Sequence, residues 1–210
     1  MIKIIIADDH PIIHSGLKQI IYEEIDMEVT CEAENASALF ENLKKVKVDL
    51  IILDISMPGM SGVEAMEILH RDFPEIPVLV LSAMPEDQYG IRLLKCGASG
   101  FLHKDSAPDE LVKAIRQIIS GNRYVSSSLS NYLLKYMDGK NIEHPHQKLS
   151  NREFEVMCRI ASGNTVTQIA GELFLSVKTI STYRNRILQK MNMKNSSEIT
   201  HYCIKNKLVE

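Results

Sequence analysis

Long apolar runs are missing from these 210 residues, and none reaches the roughly 18 residues that a membrane helix needs. The opening run, Met1 to Ala7, ends in Asp8-Asp9, where a secretory leader would offer a small-residue cleavage site. The chain is therefore expected neither to span a membrane nor to be secreted. Cysteine is scarce: Cys31, Cys96, Cys158 and Cys203 lie dozens of residues apart with no C-x-x-C pair. That spacing supports neither a zinc site nor a disulfide framework and fits a reducing cytoplasm. Low-complexity stretches are absent, and 45% hydrophobic with 24% charged residues excludes a disordered chain.

Net charge is also small, −3 in total, but it is a difference between unlike halves. Met1 to Val125 carries 12 basic and 20 acidic residues, a net of −8. Ser126 to Glu210 carries 12 basic and 7 acidic, a net of +5. An acidic half followed by a basic one points to two domains, the second suited to a polyanion such as nucleic acid.

Five short apolar runs read as strands: Lys3 to Asp8, Met27 to Ala33, Asp49 to Asp54, Pro77 to Ala83 and Gly100 to Lys104. The first, third and fourth are continuous, without alternation, as in parallel strands covered on both faces. Between them, Leu39, Leu43 and Val46, then Val63, Met66 and Leu69, then Leu111, Ala114, Ile115 and Ile118 recur at helical spacing. Ser106 with Asp109 and Glu110 is read as a helix start and Gly121 as its stop. Five β-α units in about 120 residues imply an α/β doubly wound, flavodoxin-like, five-stranded parallel sheet.

Such sheets bind ligands at the carboxyl ends of their strands. Those ends here carry Asp8-Asp9, Asp54, Ser82 and Lys104. Each residue has an ordinary reading, as a cap, a turn hydroxyl or a surface charge. Together they place three repelling carboxylates beside a hydroxyl and a lysine, and a divalent cation is the economical explanation. Mg²⁺, which takes one or two carboxylates plus phosphate oxygens, suits best.

Beyond Asn122 the chain becomes polar. Residues 123 to 148 read as a linker with a possible short helix from Leu129 to Met137, and His144 and His146 are expected to be solvated there. From Leu149 all signals are helical. Ser150 with Glu153 and Thr165 with Gln168 are capping boxes, and Asn195 with Glu198 starts a last helix. A short helix, Val166 to Leu173, a turn at Phe174-Leu175-Ser176 and a longer helix from Val177 to Met191 make a helix-turn-helix. At 100° per residue Val177, Ile180, Ile187, Leu188 and Met191 face inward. Lys178, Ser181, Thr182, Asn185 and Gln189 face outward, flanked by Arg186 and Lys190, with Tyr183 and Arg184 at the border and Arg184 expected to reach outward.

Two resemblances follow. Asp8-Asp9, Asp54 in Leu53-Asp54-Ile55-Ser56-Met57-Pro58-Gly59, Ser82, and Lys104 in Gly97-Ala98-Ser99-Gly100-Phe101-Leu102-His103-Lys104 resemble the receiver domain of a two-component response regulator, over residues 1 to 122. Leu149-Ser150-Asn151-Arg152-Glu153, Ile169-Ala170, Leu175 to Tyr183 and Lys190-Met191 resemble the LuxR-type DNA-binding domain, over residues 149 to 210. The whole chain is thus similar to NarL/FixJ-family response regulators.

The resemblance implies Asp54 as phospho-acceptor, Mg²⁺ held by Asp9 with Asp8, Asp54 and the backbone carbonyl of Ser56, phosphoryl contacts from Lys104 and Ser82, and a switch in which Ser82 moves and Phe101 turns inward. It implies a sensor histidine kinase or histidine phosphotransfer protein as donor, and a homodimer binding double-stranded promoter DNA. Candidate DNA contacts are Lys178, Thr179, Ser181, Thr182, Tyr183, Arg184, Asn185, Arg186 and Lys190, with Ser181, Thr182 and Asn185 at base edges. Departures are Asp105 where many receivers have proline, leaving the Lys104-Asp105 peptide geometry open, and Thr165-Val166-Thr167-Gln168, which lacks a lysine that many members aim at phosphate. Two other functions compete with this one: a regulator that binds DNA without phosphorylation, its receiver serving only for docking or dimerisation, and an aspartate-nucleophile phosphatase. The latter needs a second acid two residues after the nucleophile, where Ser56 stands, so an enzyme is not expected.

Overall fold

The computed structural model describes all residues except 58, 61, 84, 85, 138–143, 207 and 210, and leaves the side chains of 87, 88, 132 and 135–137 undescribed. The chain divides into two compact units, Met1–Leu134 and Lys135–Glu210. The 123–148 segment read as a linker is thus shared between them, and its 138–143 stretch lies outside the described residues.

The first unit is a five-stranded sheet in the order β2-β1-β3-β4-β5. Its strands are β1 (Ile2–Ala7), β2 (Met27–Ala33), β3 (Leu50–Asp54), β4 (Val78–Ser82) and β5 (Gly100–His103), and every pair is parallel. Parallel pairing requires crossovers, supplied by α1 (Pro11–Tyr22), α2 (Ala36–Leu43), α3 (Gly62–Asp72) and α4 (Glu86–Lys95), with α5 (Ala107–Ile119) after β5. Covered on both faces, the central strands have no reason to alternate. All of β3 and β4 is buried. Ile4, Ile6, Ile52, Leu79 and Leu102 pack with Leu17 and Ile21 of α1 and with Leu111, Ala114 and Ile115 of α5. The intervening Ile5, Ile51, Val80 and Phe101 are equally buried. Each such side chain contributes about 1.5–3 kcal/mol on leaving water.

Two local expectations change. The α2 helix stops at Leu43, so Val46 lies beyond it. Ser106 does not cap α5 with its side chain: a 3₁₀ turn over Lys104–Ser106 feeds directly into α5, and Ser106 already has helical backbone angles. Gly121 is at φ 87°, the left-handed conformation expected of the stop residue. Among the described residues no peptide bond is cis, Lys104-Asp105 included.

After β5 the chain returns along the sheet. Tyr124 bridges to Gly100, and α6 (Ser127–Met137) follows, its Leu129 fully buried. The second unit is helical: α7 (Asn151–Ala161), α8 (Val166–Glu172), α9 (Val177–Met191) and α10 (Ser196–Lys205). Both capping boxes are present, on Ser150 with Glu153 and on Thr165 with Gln168, and Asn195 caps α10. A 3₁₀ turn, Pro145–Lys148, precedes α7. His146, expected to be a solvated linker residue, is instead buried in this turn, its Nδ1 2.8 Å from the Tyr202 hydroxyl and its ring 5.6 Å from that of Phe154. The four cysteines are free thiols. Among the described residues no helix is long and apolar enough to cross a membrane.

Candidate phosphoryl-transfer site and nucleic-acid interface

The strand order reverses between β1 and β3, since the chain passes from β1 outward to β2 and returns on the other side. The carboxyl ends of β1 and β3 therefore open on a shared crevice. Asp54 ends β3 and is 1% exposed. Its Oδ1 accepts the Ser56 backbone N–H at 2.9 Å and its Oδ2 accepts Lys104 Nζ at 2.7 Å. Asp8, just past β1 and equally buried, has Oδ2 2.7 Å from the same ammonium but outside hydrogen-bonding direction. One lysine thus faces two buried carboxylates.

Electrostatics follow from that excess of negative charge. Burial pushes the Asp54 carboxyl above the usual aspartate range, against the pull of Lys104 and the Ser56 N–H, with Asp8 adding to the rise. Burial works against the Lys104 charge, yet its contacts with Asp54 and Asp8 hold the amino group above its ordinary value. Both shifts describe a site short of positive charge.

Asp9 and His10 complete the cluster. One ligand atom from each of Asp8, Asp9, His10 and Asp54 falls within 4.8 Å of the others. Two of the oxygens, Asp8 Oδ2 and Asp9 Oδ1, are buried and complete no hydrogen bond, although Lys104 Nζ lies 2.7 Å from the first and His10 Nδ1 3.0 Å from the second. Hard oxygen donors with open valences fit a divalent cation such as Mg²⁺ or Mn²⁺. His10 escaped the sequence reading as a site residue. Its Nδ1 lies 3.0 Å from an oxygen of each of Asp8 and Asp9, and its N–H donates to Asp8 Oδ1 at 2.7 Å. The Asp-Asp-His order placed it there, but a histidine beside two acids reads equally as a turn residue.

Ser82 ends β4 fully buried, opposite His103 of β5, and Lys104 follows β5 at once. The strand ends thus gather Asp8, Asp9, Asp54 and Lys104 as their positions required. Ser56 joins them through its N–H. Phe101 is already fully buried on β5, where the expectation was a ring that turns inward.

In the second unit α9 is entered from α8 through Leu173, Phe174 and Leu175, with Phe174 at φ 52° closing the turn in left-handed conformation. Ser176 caps α9, accepting the Thr179 N–H at 3.0 Å, and its hydroxyl pairs with that of Thr179. Ile180, Ile187 and Met191 are buried and Leu188 half-buried. Val177 is 48% exposed, contrary to its place on the apolar stripe, because at the first position of the helix it lies beyond the packed partners.

Lys178, Thr182, Asn185, Arg186 and Gln189 are exposed, while Thr179, Ser181, Tyr183 and Arg184 are half-buried. The Thr182 hydroxyl donates to its own helix, at Lys178 O. Two cations differ from the expectation of free outward charge. Arg184 turns to α10 and donates from Nε to Ser196 Oγ at 2.8 Å. Lys190 donates to Glu153 Oε2 at 2.6 Å.

A sheet whose switch point carries an acid pocket and a lysine, joined to a helix-turn-helix unit, defines a phosphorylation-responsive DNA-binding regulator as a class. Comparison with known proteins agrees. The response regulator receiver domain family matches residues 4–116, and the luxR family of bacterial regulatory proteins matches residues 147–203. Response regulator GacA of Pseudomonas aeruginosa is 32% identical over 100% of this chain and 99% of its own length. The oxygen regulatory protein NreC of Staphylococcus epidermidis is 34% identical over 99% of each. Among solved structures, RcsB from Salmonella enterica serovar Typhimurium, bound to promoter rprA with the phosphomimetic BeF3−, aligns with a TM-score of 0.72 at 30% identity, covering 96% of this chain and 97% of that one. The chain belongs to the NarL/FixJ-type response regulators, which pair a receiver with a LuxR-type DNA-binding domain.

Proposed function

We propose that Asp54 accepts a phosphoryl group from a histidine kinase or histidine phosphotransfer protein and that this promotes dimeric binding of α9 to promoter DNA in the cytoplasm. The observation that carries the reading is the arrangement around Asp54: a buried carboxylate held by the Ser56 N–H and Lys104, beside oxygens of Asp8 and Asp9 that meet only Lys104 and His10 and complete no hydrogen bond. Asp8, Asp9 and Asp54, with the Ser56 carbonyl, would hold Mg²⁺, which supplies positive charge to the phosphoryl group as it transfers. An Asp54 carboxylate oxygen attacks phosphorus as the phosphorus–nitrogen bond to the donor imidazole breaks. Lys104, already on Oδ2, meets the charge that arrives. Ser82, buried at the end of β4, is the proposed hydroxyl for a phosphoryl oxygen, and Phe101, two residues before the β5 position that pairs with Ser82, is the proposed ring of the switch.

On the DNA side, Lys178 and Arg186 are the exposed cations for phosphate. Ser181, Thr182 and Asn185 are the candidates for base edges, and Thr179, Tyr183, Arg184 and Lys190 border them. One solved RcsB complex holds promoter rprA and another is two RcsB dimers on two parallel DNAs, which supports the dimeric reading. Labelling with a small phosphodonor, and operator binding with and without it, test the proposal in wild type and Asp54→Ala. Label on the wild type alone, with tightened DNA binding, is the expected result. Equal DNA affinity in both proteins and no label would leave a regulator that binds DNA without phosphorylation.

A further inference from the structure

His14 lies outside the acid cluster, on α1, and the phosphoryl-transfer chemistry does not call on it. It is 8% exposed and bridges two strands. Its Nε2 is hydrogen-bonded to the backbone carbonyl of Asp8, and its Nδ1 is 2.9 Å from Glu32 Oε2 on β2. Both ring nitrogens meet oxygens. A carbonyl can only accept, so Nε2 carries a hydrogen. Lys18, one turn further along α1, donates to the other Glu32 oxygen at 2.7 Å. Lys18 first, and then His14, hold the Glu32 carboxyl below the usual glutamate range.

This brace acts on one peptide plane. The preceding Ala7-Asp8 peptide is fixed through the Asp8 N–H by Ala33 O of β2 at 3.0 Å, and the Asp8-Asp9 peptide through the Asp8 carbonyl by His14. The carbonyl belongs to the Asp8-Asp9 peptide, so its direction sets the next Cα and the aim of the Asp9 side chain. Asp9 Oδ1 completes no hydrogen bond, and its nearest polar neighbour, His10 Nδ1 at 3.0 Å, is carried by the next residue of the same backbone, so the direction of both depends on the peptide beneath them. We propose that His14, braced by Glu32, is a positioning residue for the cation pocket: it holds the Asp8-Asp9 peptide so that both carboxylates face one point. This rests on the reading of that pocket as a divalent-cation site. Outer partners of metal ligands commonly change metal affinity by about 10- to 100-fold.

The two ring nitrogens can be separated by substitution. His14→Gln places an amide N–H near Nε2 and keeps the donor to the Asp8 carbonyl, while His14→Asn reaches only the position of Nδ1. Mn²⁺ binding to the full-length protein, followed by electron paramagnetic resonance, is the measurement, with Asp9→Ala as control. The expected result is a loss of about tenfold in Mn²⁺ affinity for His14→Asn and near wild-type affinity for His14→Gln, at equal thermal stability of the two variants. In His14→Asn the Mn²⁺ concentration for half-maximal phosphorylation should rise by the same factor, while the rate at saturation holds. Affinity within twofold of wild type in His14→Asn, or an equal loss in both variants, overturns the proposal. Undiminished binding in Asp9→Ala overturns instead the reading of the pocket on which it rests.

Discussion

Lys190 Nζ lies 2.6 Å from Glu153 Oε2, joining the end of α9 to the first turn of α7. Glu153 is 2% exposed and also accepts the Ser150 backbone N–H at 2.7 Å, so one carboxylate closes a helix cap and anchors the recognition helix. Burial alone would raise the Glu153 carboxyl, but Lys190 and the Ser150 groups hold it below the usual glutamate range. A depressed folded value contributes stability that is present above the unfolded value and lost as pH falls through the folded one. Lys190→Ala should therefore destabilise the second unit by about 1 kcal/mol at pH 7, with the difference from wild type shrinking on acidification below the glutamate range. Because this lysine is engaged within the protein, the salt dependence of DNA binding should keep its slope. Lys178→Ala and Arg186→Ala should each lower that slope by about one unit. A drop of about one unit in Lys190→Ala would show that its charge goes to phosphate.

Asp54 gives the opposite sign. Its carboxyl is pushed up by burial, so the folded state binds that proton more tightly than the unfolded chain does. Ionised Asp54 therefore costs stability above its folded value, and the cost disappears as pH falls below the unfolded one. Asp54→Asn removes the charge, while Lys104 keeps Asp8 at 2.7 Å. The variant should be more stable than wild type at pH 7.5 by about 1 kcal/mol, the ordinary scale of a single substitution, and the gap should close toward pH 4. Thermal unfolding across that range checks it, and a gap that widens on acidification would contradict it.

Gly171 lies in α8, and a methyl group there would meet nothing within 4 Å. No close approach requires glycine, and its φ is not left-handed. Gly171→Ala should stabilise the second unit by about 0.5–1 kcal/mol, by limiting the unfolded chain and favouring helix. Denaturant unfolding should move to a higher midpoint at constant slope.

The sequence disclosed most where one local rule decides the outcome. Continuous Ile, Leu and Val runs mark β1, β3 and β4 because parallel strands covered on both faces need no polar side. Capping pairs three residues apart marked α7, α8 and α10, since donor and acceptor belong to the same turn. The strand-end rule alone brings Asp8, Asp9, Asp54 and Lys104 together, because parallel strands share one carboxyl edge. What stayed hidden depends on partners distant in the chain. His14 is 18 residues from Glu32 and meets it because the crossover lays α1 against β2. His146 is 56 residues from Tyr202, so a polar stretch that read as tether holds a packed ring. Lys190 faces outward by helical arithmetic, and only the packing of α7 on α9 shows that Glu153 has taken it.

Gly90 and Leu129 place α6 against α4. A methyl group on Gly90 would come within 2.8 Å of Leu129 Cδ2, and Leu129 is fully buried. At the same contact the Ser126 and Ser128 hydroxyls both donate to the Glu86 carboxylate, at the first turn of α4. The segment that leads out of the receiver is thus fastened to the helix after β4, the strand that ends in Ser82. Leu129→Ala should cost about 2–5 kcal/mol for the lost burial and release α6 locally. Hydrogen exchange at residues 127–134 should then rise severalfold while β1, β3 and β4 keep their protection. Glu86→Ala should do the same more weakly, because it removes polar fastening and leaves Leu129 in place. Uniform loss of protection across the sheet in Leu129→Ala would mean that α6 belongs to the receiver's cooperative core.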